Sequence, residues 1–196
     1  MKIVINLVLV AIAVFLGWQL YSSIKDPITF MDELSVREDA VASRLKQVRD
    51  AQTIYRDVSG GEYAKTWDEL VNTLRNGNIP LVSVFGDPDD PNFDPNDLRT
   101  DTTYIPAIDT VNALGIDLDS LRYIPYTGGR KEFGLYADTT TYQKALVNVV
   151  EVTAPYADFM GPFADERYKR YINTYDPGAT MKFGSRAKPT LSGSWD

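Results

Sequence analysis

The hydrophobic pattern changes character three times along the chain. From Ile3 to Ile24 it is a continuous apolar run without charge, interrupted only by Asn6, Gln19, Ser22 and Ser23. A helix rising about 1.5 Å per residue carries such a run across roughly 30 Å of hydrocarbon. A cleaved signal peptide would place small residues at the end of a shorter apolar core. Ala11-Ile12-Ala13 has the residue types but lies mid-run, with Val14-Phe15-Leu16 directly after it. A buried core helix rarely lacks charge over this length. Residues 3–24 are therefore expected to be a transmembrane anchor. Lys2 lies on its short side, and Lys25 on the long side is followed by Asp26, Asp32 and Glu33. That asymmetry predicts a cytoplasmic N-terminus, and Trp18 and Tyr21 fall where amphipathic rings favour the far interface. In a bacterium the anchor would lie in the inner membrane, with the body periplasmic or extracellular.

The second pattern has helical period. Pro27 is expected to end or kink the first helix, since proline disfavours α conformation in the residue before it. Residues 25–61 then read as a juxtamembrane amphipathic helix. Leu34, Val41, Val48 and Tyr55 recur at intervals of seven, with Leu45 between them and Arg37, Asp39, Arg44, Lys46 and Asp50 opposite. A coiled coil would show the same stripe, but Gln52 breaks one seam position and the heptads are few. Gly60-Gly61 closes the segment. Thr66-Trp67-Asp68-Glu69 has the form of a capping box, Trp67, Leu70, Val71 and Leu74 lie on one face, and Asn76-Gly77 supplies a stop in which the glycine takes a left-handed conformation.

The third pattern is extended. Thr102–Ile108 is a strand candidate. Leu121–Thr127 and Lys131–Asp138 flank Gly128-Gly129 as a hairpin, and valine-rich Ala145–Ala154 reads as a well-buried strand. Tyr168, Tyr171, Ile172 and Tyr175 stand at helical spacing within Phe163–Tyr175, and Thr180–Gly184 is a last strand. Residues 62–184 thus form an α+β head. Residues 185–196 form a C-terminal tail, loose unless Leu191 and Trp195 dock. The fold class expected is α+β: an N-terminal transmembrane helix, then an amphipathic helix packed on a small antiparallel sheet.

Composition narrows the chemistry. The net charge is −7, which argues against nucleic acid as a partner because phosphate binding needs a basic face. The chain has no cysteine and no histidine. Disulfides, thiol chemistry, the Ser-His-Asp arrangement and the usual zinc ligand sets are thereby excluded. No cofactor is expected, with calcium as the single exception weighed. The loop 86–101 carries three prolines and many acidic groups, among them Asp87, Asp89, Asp90, Asp94 and Asp97, with Asn92 and Asn96. These are hard oxygen ligands of the kind calcium takes six to eight of. The EF-hand glycine and closing glutamate are absent, and the other reading is a solvated acidic loop. Ser22-Ser23-Ile24-Lys25 matches S-x-x-K without its companion motifs. The pairs Asp117/Asp119 and Asp165/Glu166 have no pocket specified around them, so no catalytic residue is assigned. Near the C-terminus the sign reverses: Arg167, Lys169, Arg170, Lys182, Arg186 and Lys188 are interleaved with Tyr168, Tyr171, Phe183 and Trp195. Arginine with aromatics marks interface cores. Arg167, Arg170, Tyr171 and Trp195 are the candidate partner-binding residues, beside the reading of an ordinary amphipathic helix and tail.

The order of elements resembles type IV pilins and the pseudopilins of secretion systems. The residues that carry the resemblance are Val48 to Tyr63 passing into Thr66–Leu74, and Leu121 to Tyr126 with Glu132 to Tyr136. The layout, with the run Gly193-Ser-Trp-Asp196, is also similar to a group of uncharacterised single-pass bacterial envelope proteins. The pilin resemblance implies one helix that is half anchor and half spine of a pilin-like head. Pilins carry a glycine before a cleavage site and a glutamate at the fifth mature position. Here no glycine precedes the apolar run and no glutamate lies in it, which argues against prepilin-peptidase cutting. The function expected is non-enzymatic: a membrane-anchored subunit or accessory of a multiprotein cell-envelope assembly, in contact with other envelope proteins or with copies of itself. The alternatives are a filament-forming structural subunit and a stalked ligand-binding receptor or enzyme.

Overall fold

The computed structural model describes residues 1–85 and 99–195. Helix α1, Lys2–Val58, is a single α-helix of 57 residues with Pro27 inside it. Of the two outcomes expected at Pro27, the first is not seen: the helix does not end there. The proline ring removes the hydrogen bond that the Ser23 carbonyl would accept, a loss worth roughly 3 kcal/mol in a helix interior. Ser23 is exposed, which leaves that carbonyl open to solvation, and Phe30, one turn above Pro27, is fully buried and holds the helix to the head. Among residues 1–26 only Ser22 is even partly covered. This lower part is long and apolar enough to cross a membrane.

From Phe30 upward the same helix becomes the spine of the head. Leu34, Val41, Leu45, Val48 and Tyr55 are buried as the seven-residue stripe predicts, together with Ala42, Ala51 and Ile54. The polar interruption at Gln52 is also fully buried. Its amide donates to the Ala64 carbonyl at 3.3 Å and accepts from the Ala64 N–H at 3.0 Å, clasping the loop that leaves the helix. Gln52→Leu keeps the volume but orphans both Ala64 groups in a fully buried site. We expect a loss of roughly 2–4 kcal/mol, read as a lower urea midpoint at unchanged slope; a loss below about 0.5 kcal/mol would contradict the clasp. Two residues assigned to the solvent face turn inward. Arg44 donates to Ser120 Oγ at 2.8 Å, and Arg37 donates to the carbonyls of Phe159 and Met160 at 2.9 and 3.0 Å.

Helix α2, Trp67–Asn76, starts as its sequence demands. The Glu69 N–H donates to the Thr66 hydroxyl at 3.2 Å, and the Glu69 carboxylate reaches back to the Lys65 N–H at 3.1 Å. Tyr55 donates to the same carboxylate at 2.7 Å, which ties α1 to α2. Gly77 ends the helix for a different reason from the one expected. Its φ of −84° is not left-handed. A Cβ there would come 2.6 Å from the Thr73 carbonyl and 2.8 Å from Val58 Cγ1, so the position needs space rather than φ freedom.

Strands β1, Asn78–Phe85, and β2, Arg99–Pro106, form a two-stranded antiparallel ribbon. β1 is an additional strand, and β2 stops at Pro106, short of the expected Ile108. Helix α3, Ala107–Ala113, takes over there because Ala107 and Val111 are both fully buried. The Gly128-Gly129 turn adopts the left-handed values of 65° and 70°. Its flanks, however, share a single backbone bridge, Tyr123–Glu132, with two adjacent backbone hydrogen bonds and an Arg122–Glu132 ion pair at 3.6 Å. Leu121–Thr127 is thus not a strand: Leu121 and Ile124 are buried three residues apart, a spacing that an extended chain cannot present to one face.

The main sheet has the order β3-β4-β5 and is antiparallel throughout, from β3, Gly134–Tyr142, β4, Ala145–Pro155, and β5, Thr180–Gly184. Its tight turn falls at Gln143-Lys144, both at positive φ, 48° and 69°. Val150, Val152, Ala154, Met181 and Phe183 join the core with the α1 stripe, α2 and α3. The other face of β4 buries Glu151, which accepts from Lys182 at 3.1 Å and Arg186 at 2.8 Å. Burial alone would push its carboxyl up, but the hydrogen bonds from these two cations outweigh that and hold it below the usual range. A four-residue helix α4, Tyr156–Phe159, follows β4. The tail is docked: Ser194 N–H donates to the Lys182 carbonyl at 2.8 Å, and Leu191 and Trp195 pack against the core.

Candidate functional site

The segment expected to be an amphipathic helix, Phe163–Tyr175, is instead a pair of 3₁₀ turns, Gly161–Phe163 and Glu166–Arg170, followed by irregular chain. Packing around one ring explains this. Phe30 of α1 is fully buried although its helical neighbours on both sides are exposed. Tyr168 stacks on it with centroids 4.6 Å apart and planes at 10°, Tyr175 meets it edge-on at 4.9 Å, and Phe163 and Tyr171 close in at 6.2 and 6.1 Å. A straight α-helix would put such residues in a line; the 3₁₀ turns let the segment wrap four aromatics around a single residue.

This bolt brings three of the four candidate partner-binding residues together. Arg167, Arg170 and Tyr171 stand beside the exposed stretch of α1, forming a cleft whose helical wall runs from Trp18 to Thr29. Each arginine lies over a neighbouring tyrosine ring at 4.7 Å: Arg167 over Tyr168 and Arg170 over Tyr171. Each also donates to that tyrosine's hydroxyl, at 2.9 and 2.6 Å. Lys25 lies over Tyr21 at 5.5 Å. Arg167 is 3.9 Å from Asp165, both groups exposed, and among the described residues Arg170 has no carboxylate within ion-pairing distance. The cations are held mainly by neutral rings, which position them without neutralising them. Trp195 is not part of this cleft. It lines a separate groove with Glu38, Asp39 and Tyr156, and the Arg49 guanidinium lies 5.9 Å from its ring.

Other sequence candidates resolve into structure-keeping roles. Ser22 donates to Asp26 at 3.1 Å rather than engaging Lys25, so the S-x-x-K spacing forms no nucleophile–base pair. Asp117 accepts from Ser120 Oγ at 2.6 Å and from the Asp119 N–H, and these hydrogen bonds hold its carboxyl low. Asp119 pairs with Arg75. Asp165 accepts from the Arg167 N–H at 2.8 Å, capping the second 3₁₀ turn, and Glu166 pairs with Lys169. Asp87, Asp89, Asp90 and Asp94 lie outside the described residues. Among the described residues no group of three potential ligands stands close enough to hold a metal ion.

Above the cleft, two phenols are tuned by their surroundings. Burial, then the charges of Glu38 and Asp176, push Tyr175 up to about 12. Burial and its 2.6 Å hydrogen bond to Glu38 push Tyr156 up further. A raised phenol favours the folded state while it stays neutral. That stability is fully present below the unfolded value of about 10 and is lost as pH rises through the folded values. We expect the melting temperature to hold until about pH 10 and then fall steeply, with the fall shallower in Tyr156→Phe. Tyrosinate absorbance appearing for all tyrosines near pH 10 with no change in melting temperature would contradict this.

The sequence pointed to the cations but not to their partners on α1. Trp18, Lys25, Asp26, Thr29 and Phe30 sit more than 130 residues away in the chain. No family model matches the chain, and neither a curated protein nor a solved structure matches it.

Proposed function

We propose that this protein is a non-enzymatic, membrane-anchored subunit of a multiprotein cell-envelope assembly. The observation that carries the reading is the division of α1. Its lower part is apolar and exposed, and its upper part, without a break, is the spine of the head. A head built on its own anchor is held at a set height and tilt above a bilayer, which suits a part that must meet other parts. The ribbon supports the same reading. Leu81, Val82 and Tyr104 are more than half exposed on a two-stranded sheet, an element that is marginal alone and presents apolar surface for docking. The acidic residues after Lys25, with Lys2 on the short side, favour an inner-membrane anchor with a cytoplasmic N-terminus.

The test is the size of the full chain extracted from native membranes in mild detergent, by light scattering with mass spectrometry of stoichiometric components. A discrete complex is expected, heavier than one 22.0 kDa chain and dispersed by Leu81→Ser/Tyr104→Ser. A bare monomer under all extraction conditions would sink the proposal. A second reading, a filament-forming pilin-like subunit, is favoured by the unbroken helix shared between anchor and head. It requires ordered fibres in electron micrographs of the overexpressed protein.

A further inference from the structure

We propose that the cleft between Trp18–Thr29 of α1 and the 167–171 segment binds the phosphodiester headgroup of an anionic phospholipid, drawn from the bilayer that α1 crosses. The proposal rests on the reading of α1 as an anchor. Height comes first. At about 1.5 Å per residue, the charge-free run from Ile3 to Ile24 fills the ~30 Å hydrocarbon layer. The next turn of helix, Lys25 to Thr29, then lies in the headgroup layer, which extends roughly 5–7 Å beyond the hydrocarbon on each side. That turn is the helical wall of the cleft where Arg167 and Arg170 overhang it. Trp18 and Tyr171 line its lower end, where the helical wall lies about 9 Å below Ile24 and so beside the acyl chains.

Charge comes second. The cleft gathers Lys25, Arg167 and Arg170 against one carboxylate, Asp26, in a chain whose net charge is −7. The acidic body as a whole is repelled by an anionic membrane surface, whereas the cleft itself sets three cations against one lining carboxylate. Asp165 stands at the edge of the cleft, 3.9 Å from Arg167 and exposed. The guanidinium groups are pre-oriented by ring stacking and by single hydrogen bonds to Tyr168 and Tyr171, which leaves further N–H donors on each for a phosphate. Ser23 and Thr29 add hydroxyls along the helix wall.

The test uses the full chain in lipid nanodiscs of phosphatidylglycerol or phosphatidylcholine, with lipid retained after detergent release counted by native mass spectrometry. Wild type is compared with Arg167→Gln/Arg170→Gln and with Arg75→Gln/Arg130→Gln, which removes the same charge elsewhere. Wild type and the distant pair are expected to retain phosphatidylglycerol in preference. In the cleft pair retention should fall tenfold or more, at roughly fivefold per cation near an anionic surface. No loss in the cleft pair, or equal loss in both pairs, overturns the proposal. Inorganic phosphate added to wild type in phosphatidylcholine discs separates free anion from lipid: a thermal shift as large as phosphatidylglycerol produces would overturn the lipid assignment. If the cleft pair does not fold, Arg167→Lys/Arg170→Lys must keep the preference. Wild type must also melt higher in phosphatidylglycerol than in phosphatidylcholine discs, and equal melting overturns the proposal. Failure of the anchor reading looks different, because the chain would then wash out of vesicles of either composition at alkaline pH.

Discussion

Replacing Phe30 by alanine is expected to lower stability by roughly 3–5 kcal/mol, the range for a buried phenylalanine lost from a packed site. The ring is fully buried and is the lowest buried residue of α1. Its stacked contact with Tyr168 and edge contact with Tyr175 add aromatic geometry to the area term. The effect should be local before it is global. With the bolt gone, the 161–175 segment loses its reason to wrap, and proteolysis within it should accelerate while the β3-β4-β5 sheet stays protected from hydrogen exchange. Phe30→Leu keeps most of the volume and should cost less than half as much. A loss below about 1 kcal/mol for the alanine variant, or unchanged cleavage of the segment, would show that the head is held to the helix elsewhere. The cleft depends on the same contact, since Arg167 and Arg170 flank the tyrosines that clasp Phe30, so the alanine variant should also lose its arrangement of cations.

Gly184→Ala is expected to cost about 3 kcal/mol or more, for an unrelated reason. Gly184 is buried at φ +78°, where an L-residue is strained by roughly 1–2 kcal/mol. In addition its Cβ would overlap the Val150 carbonyl oxygen of the neighbouring strand. Relief requires β4 and β5 to separate, and overpacking of this kind adds about 1–3 kcal/mol. The same residue holds the tail: its N–H donates to the Ser192 carbonyl at 3.0 Å, and the Ser185 N–H donates to Val150 at 3.0 Å. Release of residues 185–195 should therefore accompany the loss, seen as early C-terminal proteolysis. Gly178→Ala is the control. Its φ is ordinary and its Cβ would meet only Asp176 at van der Waals distance, so it should change stability by no more than about 0.5 kcal/mol. Equal melting temperatures for both variants would contradict the argument.

These two residues show how differently the parts of the fold were written into the chain. Elements carried by local chemistry were legible. The uncharged run 3–24, the seven-residue stripe from Leu34 to Tyr55, the Thr66–Glu69 cap and the valine-rich strand all appear in the structure, because each depends on residues within a few turns of one another. The turn at Gln143-Lys144 was not legible, since neither residue advertises positive φ; the register of β3 on β4 imposes it. Gln52 read as a defect in a seam and is a clasp, because its partner Ala64 is identifiable only once the loop has folded back. Tyr168, Tyr171 and Tyr175 read as a helix face, but spacing alone cannot distinguish a face from a ring of residues around a common target.

The candidate site follows the same division. Arg167, Arg170 and Tyr171 were legible as a cationic, aromatic stretch, and Trp195 was grouped with them on composition although it packs in another groove. Hydropathy and charge, summed over neighbouring residues, were enough for an apolar helix, an α+β head and a basic end on an acidic chain. The meeting of that basic end with the last turn of the apolar helix was beyond them. It depends on Phe30 reaching a segment more than 130 residues away, and a contact of that separation is decided by packing of the whole head rather than by any local preference.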